Sequence, residues 1–507
     1  MKYLLTSSQM KKADQNTING EQQIPSLTLM ERAASGIARV ISRRIRKGER
    51  ILVVCGSGNN GGDGYGAARI LLEKGYEVTI VSVGNEAHMT EETAHEYQRL
   101  LEKKGTVLRE IPDESYACVL DAIFGIGLSR PVEGDYKTLI EKMNVLSGYK
   151  VAADIASGIS ADTGEVLGCA FRADETVTVS DAKRGQFLFP GISYSGKITV
   201  IDIGIHGTKE ETASYARMLR KKDIERLLPK RPANSHKGTF GRVLVIAGSV
   251  DMAGAAYLCA LAAYRSGAGL VMVYTPQENR VILQELLPEA ILKTYPSGKG
   301  SGKKLSEAIS WATQIAIGPG LGLSKDSEKM IRQTLREAKV PLILDADGIN
   351  QVSFHPEVLS TYQGEHLILT PHLKEMERLS ALTIPEIRKN PDAAVHPFLC
   401  RNRTIVLKDA RTWIFSTKCS HPYLNVHGSS ALAKGGSGDV LTGTILGLLG
   451  SGAGPDDACK LGVLLHSLAG EKLEKKRGPY GVLAQEIADE IPLLMHKKGA
   501  DKTYGNM

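Results

Sequence analysis

Ten residues near the C-terminus, Lys434-Gly435-Gly436-Ser437-Gly438-Asp439-Val440-Leu441-Thr442-Gly443, constrain the fold more than any other stretch. The small residues Gly435 to Gly438 leave backbone N–H groups uncovered. The apolar run Val440 to Leu449 that follows reads as a buried helix beginning at or just after Ser437. Such a helix start offers its positive dipole end and free amides to an anion, and suits a phosphate that gains charge during transfer. Asp439, in the first turn, is placed to accept a proton from an attacking hydroxyl. A lone Gly-x-Gly-Asp would more simply be a tight turn into a helix, so its neighbours must decide.

At 507 residues the chain exceeds one ordinary core, and two domains are expected. Residues 205 to 240 are polar, charged and punctuated by Pro229 and Pro232, which puts the boundary there. The expected domains are 1–212 and 222–500, with a short connecting helix from Lys222 to Leu228 and a loose tail over 497–507.

In the first half, Leu29, Met30, Ala33, Ala34, Ile37, Val40 and Ile41 recur at helical spacing over residues 26 to 45. The strand Ile51 to Cys55 then runs into Gly56-Ser57-Gly58-Asn59-Asn60-Gly61-Gly62-Asp63-Gly64, and a helix from Tyr65 to Glu73 is expected after it. Gly56 to Gly61 satisfies the Gly-x-Gly-x-x-Gly of dinucleotide-binding dehydrogenases. Two features oppose that reading: Asn59 and Asn60 add side-chain amides that the fingerprint does not need, and the strand Val78 to Val83 ends in Gly84 rather than an acid for the ribose. Further strands at 117–121, 150–154, 175–180 and 197–202 predict a mostly parallel sheet with helices on both faces. Asp121 and Asp154 fall at strand C-terminal ends, the edge where open sheets bind ligands. Lys183 is a possible second acid/base group, although a lone Lys is more often a solvated charge.

The second half repeats the pattern, with strands at 242–247, 270–274, 314–317, 341–344, 367–370 and 404–407 and a small-residue helix from Ala253 to Ser266. Both halves are therefore expected to be three-layer α/β domains. Gly318-Pro319-Gly320-Leu321-Gly322, Asp345-Ala346-Asp347 and Pro371-His372 follow strands at a common sheet edge and are candidates for one cleft.

The net charge of +7 lacks interleaved aromatics, so nucleic-acid binding is not indicated. Seven cysteines without a C-x-x-C pair read as reduced core residues. No signal-peptide or membrane-spanning run is evident, and a cytoplasmic location is expected.

Taken together, the second-half motifs resemble the ADP/ATP-dependent NAD(P)H-hydrate dehydratases, which have a ribokinase-like fold. On that resemblance Ala253, Gly254, Gly320, His372 and Asp439 would contact the hydrated substrate. Lys408, Asp409, Ala410, Arg411 and Thr412, with Ser429, Gly435, Gly436, Ser437 and Gly438, would hold ADP or ATP, carried with Mg²⁺. In the first half, Gly58 to Gly64, Asp121 to Pro131 and Asp154 to Gly158 resemble the Rossmann-like YjeF-type NAD(P)H-hydrate epimerase domain. This resemblance implies that Asn59, Asn60, Gly61, Gly62 and Asp63, with Gly125, Ile126, Gly127, Leu128, Ser129, Arg130, Pro131 and Asp154, hold NADH hydrate or NADPH hydrate. It also implies that Asn60, Asp121 and Ser157 ligate K⁺; Asp154 and Lys183 are acid/base candidates by their residue types. Both halves in one chain resemble the bifunctional NAD(P)H-hydrate repair enzymes, and a homo-oligomer without nucleic-acid or membrane partners is expected. This chain departs from the family patterns at Ala156, Met252-Ala253, Ala256, Leu373-Lys374 and Ser429. Because fold alone does not decide function, two rivals stand beside this reading: a vitamin or sugar kinase in the second half and a non-catalytic binding module in the first.

Overall fold

The structure, a computed structural model, describes residues 3–496 apart from 206, 208, 213 and 420; the tail 497–507 and His206 and Thr208 of the junction lie outside the described residues. The chain divides into two compact units after Arg217. The segment read as polar linker contains a strand, Ala216–Leu219, and the helix expected after it runs Asp223–Leu227.

The first unit contains β1 (Tyr3–Leu5), β2 (Arg50–Cys55), β3 (Glu77–Ser82), β4 (Val107–Leu108), β5 (Cys118–Ala122), β6 (Tyr149–Ala153), β7 (Glu175–Val179), β8 (Ala182–Lys183) and β9 (Lys197–Ile201). Its main sheet runs β4-β3-β2-β5-β6-β7-β9, with every pairing parallel. The reason is visible in β2: Ile51, Val53 and Cys55 pack into one apolar cluster and Leu52 and Val54 into another, so the strand is buried on both faces. β1 pairs in parallel with β8, and Tyr3 and Leu4 pair antiparallel with Arg217 and Ala216 of β10 (Ala216–Leu219).

Two features differ from the sequence reading. A helix Ser7–Asn19, closed by a Thr6/Gln9 capping box, precedes the helix Ser26–Ser42. The helix after β2 begins at Asn59 rather than Tyr65, so the glycines lie inside it. Close packing demands them there. A Cβ on Gly61 would lie 1.9 Å from the Gly56 carbonyl oxygen, and one on Gly64 2.5 Å from the Ala122 Cβ.

The second unit contains β11 (Arg242–Ile246), β12 (Leu270–Pro276), β13 (Ile291–Tyr295), β14 (Gln314–Ile317), β15 (Leu342–Leu344), β16 (Leu367–Leu369), β17 (Arg403–Leu407), β18 (Thr412–Ser416) and β19 (Tyr423–Asn425). They are ordered β13-β12-β11-β14-β15-β16-β17-β18-β19, parallel as far as β17 and antiparallel beyond it. The glycine-rich string opens the helix Ser437–Gly450, which is buried almost all round from Val440 onward, as its uniformly apolar sequence requires. It packs on the helix Ala253–Arg265. Of the cysteines, Cys55, Cys118, Cys259 and Cys459 are buried thiols, whereas Cys400 is exposed and so is not a core residue. Among the described residues no helix is long and apolar enough to cross a membrane.

The contact between those two helices depends on missing side chains. A Cβ on Gly443 would meet the Cys259 carbonyl oxygen at 2.1 Å, and one on Gly447 the Ala263 carbonyl oxygen at 2.3 Å. Gly443→Ala should therefore push the helices apart and destabilise the second unit by about 1–3 kcal/mol. Urea unfolding with a probe in that unit measures this, and an unchanged midpoint would show that the helices separate freely.

Candidate active sites

A cavity of about 820 Å³ opens in the first unit. Its apolar wall comes from Met10 and Ile18 of the N-terminal helix and Leu29, Met30 and Ala33 of the next. Its polar wall comes from the ends of the parallel strands: Ser57 to Asn60 and Asp63 after β2, Gly125 to Arg130 after β5, Asp154 after β6 and Lys183 of β8. Asp154 turns the chain in the left-handed region, at φ 62°, which Asp tolerates better than most residues. Its Oδ1 accepts from the Val179 N–H at 3.0 Å and from the Lys183 ammonium. Lys183 is fully buried and also donates to Thr178 Oγ1 and the Val179 carbonyl, each at 3.0 Å. Far from a solvated charge, it is locked in place. Asp63 faces this pair with no hydrogen-bond donor on its carboxyl among the described residues. Burial, then the charges of Asp154 and Asp14, push it well above the usual carboxylate range.

Asp121 and Ser157 lie just behind the cavity, both fully buried. Ser157 donates its N–H to Asp121 Oδ2 at 2.8 Å and its hydroxyl to Oδ1 at 2.6 Å, while the Ile123 N–H donates to Oδ1 at 3.2 Å. Burial pushes the Asp121 carboxyl up to about 6 even though these donors pull it down. Both side-chain polar atoms of Asn60 are buried without a partner. Its amide packs against Gly125, where an added Cβ would come within 3.5 Å of it. The Phe124 N–H, one residue before Gly125, donates to Ser157 Oγ at 2.8 Å, and the orphaned amide oxygen, the hydroxyl and the Asp121 carboxylate are the oxygen donors that a hard monovalent cation takes.

In the second unit the strand-end loops converge as expected. Asp345, after β15, is 1% exposed and takes three donors: Lys408 Nζ at 2.7 Å and Thr370 Oγ1 at 2.6 Å reach Oδ1, and Thr442 Oγ1 at 2.6 Å reaches Oδ2. Burial opposes charge on both partners, but the pairing outweighs it: Asp345 is held below its usual range and Lys408 above. Ala346, at φ 49° and ψ −119°, is the strained hinge that lets Asp345 point inward while the Asp347 Oδ2 accepts from the Gly322 N–H at 2.8 Å. Asp439 has only through-space partners among the described residues. Burial, then Asp345, raise it, Lys408 lowers it and Asp347 raises it again, to about 7. No side chain caps the helix start at Ser437; the Ser437 N–H turns back to the Lys434 carbonyl at 3.3 Å, and the Gly438 and Asp439 N–H groups are left for a ligand. His466 holds that turn from behind, its Nε2–H donating to the Ser437 carbonyl at 3.0 Å. Burial keeps this imidazole neutral, with its pKa lowered to about 4.

His372 caps the helix Leu373–Ser380: its N–H donates to Glu375 Oε2 at 2.8 Å, and the Glu375 N–H donates to His372 Nδ1 at 3.1 Å. This reciprocal box leaves His372 half exposed beside Lys408, whose charge adds to burial in lowering its pKa. Gly320 packs on the start of the helix that carries Ala253 and Gly254, since a Cβ there would lie 2.7 Å from Ala255 Cβ. Ala410 and Arg411 lie beside Gly428, next to Ser429. Asp409 is engaged by Arg388 at 3.0 and 3.2 Å, and Thr412 is buried in β18. Gly61, Gly62 and Pro131 do not line the first-unit cavity; the two glycines are consumed by helix packing.

Several residues at these sites carried no sequence signal strong enough to single them out. Lys11 and Asp14 line the cavity from the helix Ser7–Asn19, which the sequence reading did not anticipate, and Glu92 lines it from the helix Glu91–Glu102. Thr370 and Thr442 were visible as parts of motifs, but not as donors to one carboxylate.

A family model described as NAD(P)H-hydrate dehydratase matches residues 243–493, and one described as YjeF-related protein N-terminus matches residues 26–185. The bifunctional NAD(P)H-hydrate repair enzyme of Thermofilum pendens is 34% identical over 92% of this chain and 91% of its own. That of Moorella thermoacetica is 33% identical over 97% of this chain and 96% of its own. A solved structure of a hypothetical protein from Streptococcus mutans is 33% identical with a TM-score of 0.50, covering 55% of this chain and 98% of that one.

The Asp154–Lys183 pair allows a stability prediction. Lys183→Met leaves a carboxylate without its cation and should cost on the order of 3–5 kcal/mol. Adding Asp154→Asn should recover part of that loss. A double-mutant cycle from denaturant melts measures the coupling, and additive effects would show that the two side chains do not depend on each other.

Proposed function

Because the chain belongs to the family of bifunctional NAD(P)H-hydrate repair enzymes, we propose that each unit performs one of the two repair steps at the site described above. Reduced nicotinamide nucleotides add water across a ring double bond to give two epimers. The first unit interconverts the epimers and the second removes water from the S form. The observation that carries this reading is the placement of Asp439: a half-buried carboxylate in the first turn of an uncapped helix start, beside Lys408 and Asp345 and raised to about 7.

In the second unit, hydroxide is a poor leaving group, so the hydroxyl is phosphorylated first from MgADP or MgATP. Asp439 takes the hydroxyl proton, and the Gly435 to Gly438 amides receive the charge of the transferring phosphoryl. Phosphate then leaves with the C–O bonding pair as the neighbouring ring carbon gives up a proton to water, and that C–H pair restores the ring double bond. His372, Gly320, Ala253 and Gly254 border the substrate, with Ala410, Arg411 and Ser429 toward the nucleotide.

In the first unit, Asn59 and Gly125 to Arg130 hold the nucleotide, and Asp154, Lys183 and Asp63 hold and move the proton that inversion requires. Asn60, Asp121 and Ser157 would hold K⁺. Bound there, the ion supplies a fixed positive charge that offsets substrate phosphate or a developing alkoxide. The protein acts in the cytoplasm as a homo-oligomer.

Incubation with hydrated NADH plus ADP or ATP, followed by NADH absorbance, tests the whole reading; a stable phosphorylated product without NADH recovery would make the second unit a kinase. Asp439→Asn should lower S-hydrate conversion by ~10²–10⁴-fold while epimerisation persists. In the native protein that conversion should rise with pH through about 7, as Asp439 loses its proton. Asp121→Asn should slow epimerisation and remove the rise in melting temperature that K⁺ gives the native first unit, leaving conversion of the S form intact. Equal loss of both activities would make Asp121 structural.

A further inference from the structure

Family resemblance puts Lys408 among residues that hold the adenine nucleotide, yet its ammonium is already committed. It donates to Asp345 Oδ1 at 2.7 Å, and Thr370 on the same oxygen and Thr442 on Oδ2 hold that carboxylate in place. The backbone reinforces the placement, since the Lys408 N–H donates to the Pro371 carbonyl at 2.8 Å. A Cβ on Gly438 would lie 3.7 Å from Lys408 Nζ. The ammonium therefore sits directly beneath the first turn of the helix that carries Asp439.

We propose that Lys408 serves the phosphoryl end of the reaction rather than the adenine end. Asp345 acts as the positioning residue that holds its ammonium under Gly438, facing both the Asp439 carboxylate and the phosphoryl group in transfer. The proposal rests on the dehydratase reading of the second unit. Through Thr442, Asp345 also joins the sheet edge to the helix that presents Asp439. One carboxylate thus fixes the relative position of base, cation and anion-binding turn. During transfer the hydroxyl proton goes to Asp439, the oxygen–phosphorus bond forms as the bond to the leaving nucleotide breaks, and the ammonium offsets charge without giving up a proton.

The charged and titratable groups around Asp439 come from every side. Asp345 and Asp347 lie after β15, Lys408 after β17, and the Cys259 thiol on the packed helix Ala253–Arg265. Glu375 and His372 face Lys408 in turn. Removing the cation and removing the anion must therefore act on Asp439 with opposite signs. Loss of the Lys408 charge makes the Asp439 proton harder to remove, whereas loss of the Asp345 charge makes it easier.

The test is the pH profile of S-hydrate conversion by the full-length protein with ADP, measured for the native chain and for Lys408→Met, Lys408→Arg and Asp345→Asn. Lys408→Met should lower kcat by about tenfold or more, leave KM for ADP within about threefold, and move the acid limb up by roughly one pH unit. Asp345→Asn should also lower kcat but move the limb down. Lys408→Arg should keep the limb at its native position. A raised KM for ADP with an unmoved limb in Lys408→Met would return Lys408 to nucleotide binding and overturn the proposal. Limbs shifted in the same direction by Lys408→Met and Asp345→Asn would overturn it as well. If Asp345→Asn fails to fold, the Met and Arg variants at 408 decide alone. Absence of NADH recovery by the native chain would instead reject the dehydratase reading itself.

Discussion

An ammonium and a carboxylate buried together at the carboxyl end of a parallel sheet are the interaction on which each unit's site depends. In the first unit the pair is Lys183 with Asp154, and in the second it is Lys408 with Asp345. Burying either charge alone would cost several kcal/mol, and each pair is held by further donors or acceptors. Thr178 and Val179 serve around the first pair, and Thr370 and Thr442 around the second. Each carboxylate also lies at a backbone irregularity: Asp154 is itself left-handed, and Asp345 precedes the strained Ala346. Strain of this kind aims a side chain where an ordinary strand end would not.

Once the pairs are set, the remaining acids acquire their character from them. Among the described residues Asp439 and Asp63 have no direct cation partner, and each is pushed upward by burial and by a neighbouring carboxylate. The second unit's site thereby contains one carboxylate kept charged by pairing, Asp345, and another near its proton, Asp439. Groups with such separated proton affinities are what acid/base chemistry at neutral pH requires.

The glycines act at a different level. Gly61, Gly64, Gly443 and Gly447 let helices approach backbone or one another at distances that no side chain permits. The helix starts therefore reach the sheet edges where the paired charges lie. Reading Gly61, Gly62 and Gly64 as a loop was the natural error, because glycine is a poor helix former and its presence inside a helix is intelligible only when the opposing surface is known.

The periodicity of apolar residues, the strand-end positions of Asp121, Asp154 and Asp345, and the Gly-Ser-Gly-Asp start of a buried helix were legible in the chain alone. Local spacing determines which face a residue takes and where an element begins. The same motifs carried the family resemblance that the relatives bear out. The partner of each side chain was not legible. Lys183 is four residues from Val179 but twenty-nine from Asp154, and Thr442 is ninety-seven from Asp345. Neither composition nor spacing can say whether such a Lys is solvated or locked. Only the packed sheet, by removing water and bringing distant strand ends to one edge, decides which charges meet, and with that which carboxylate remains free to take a proton.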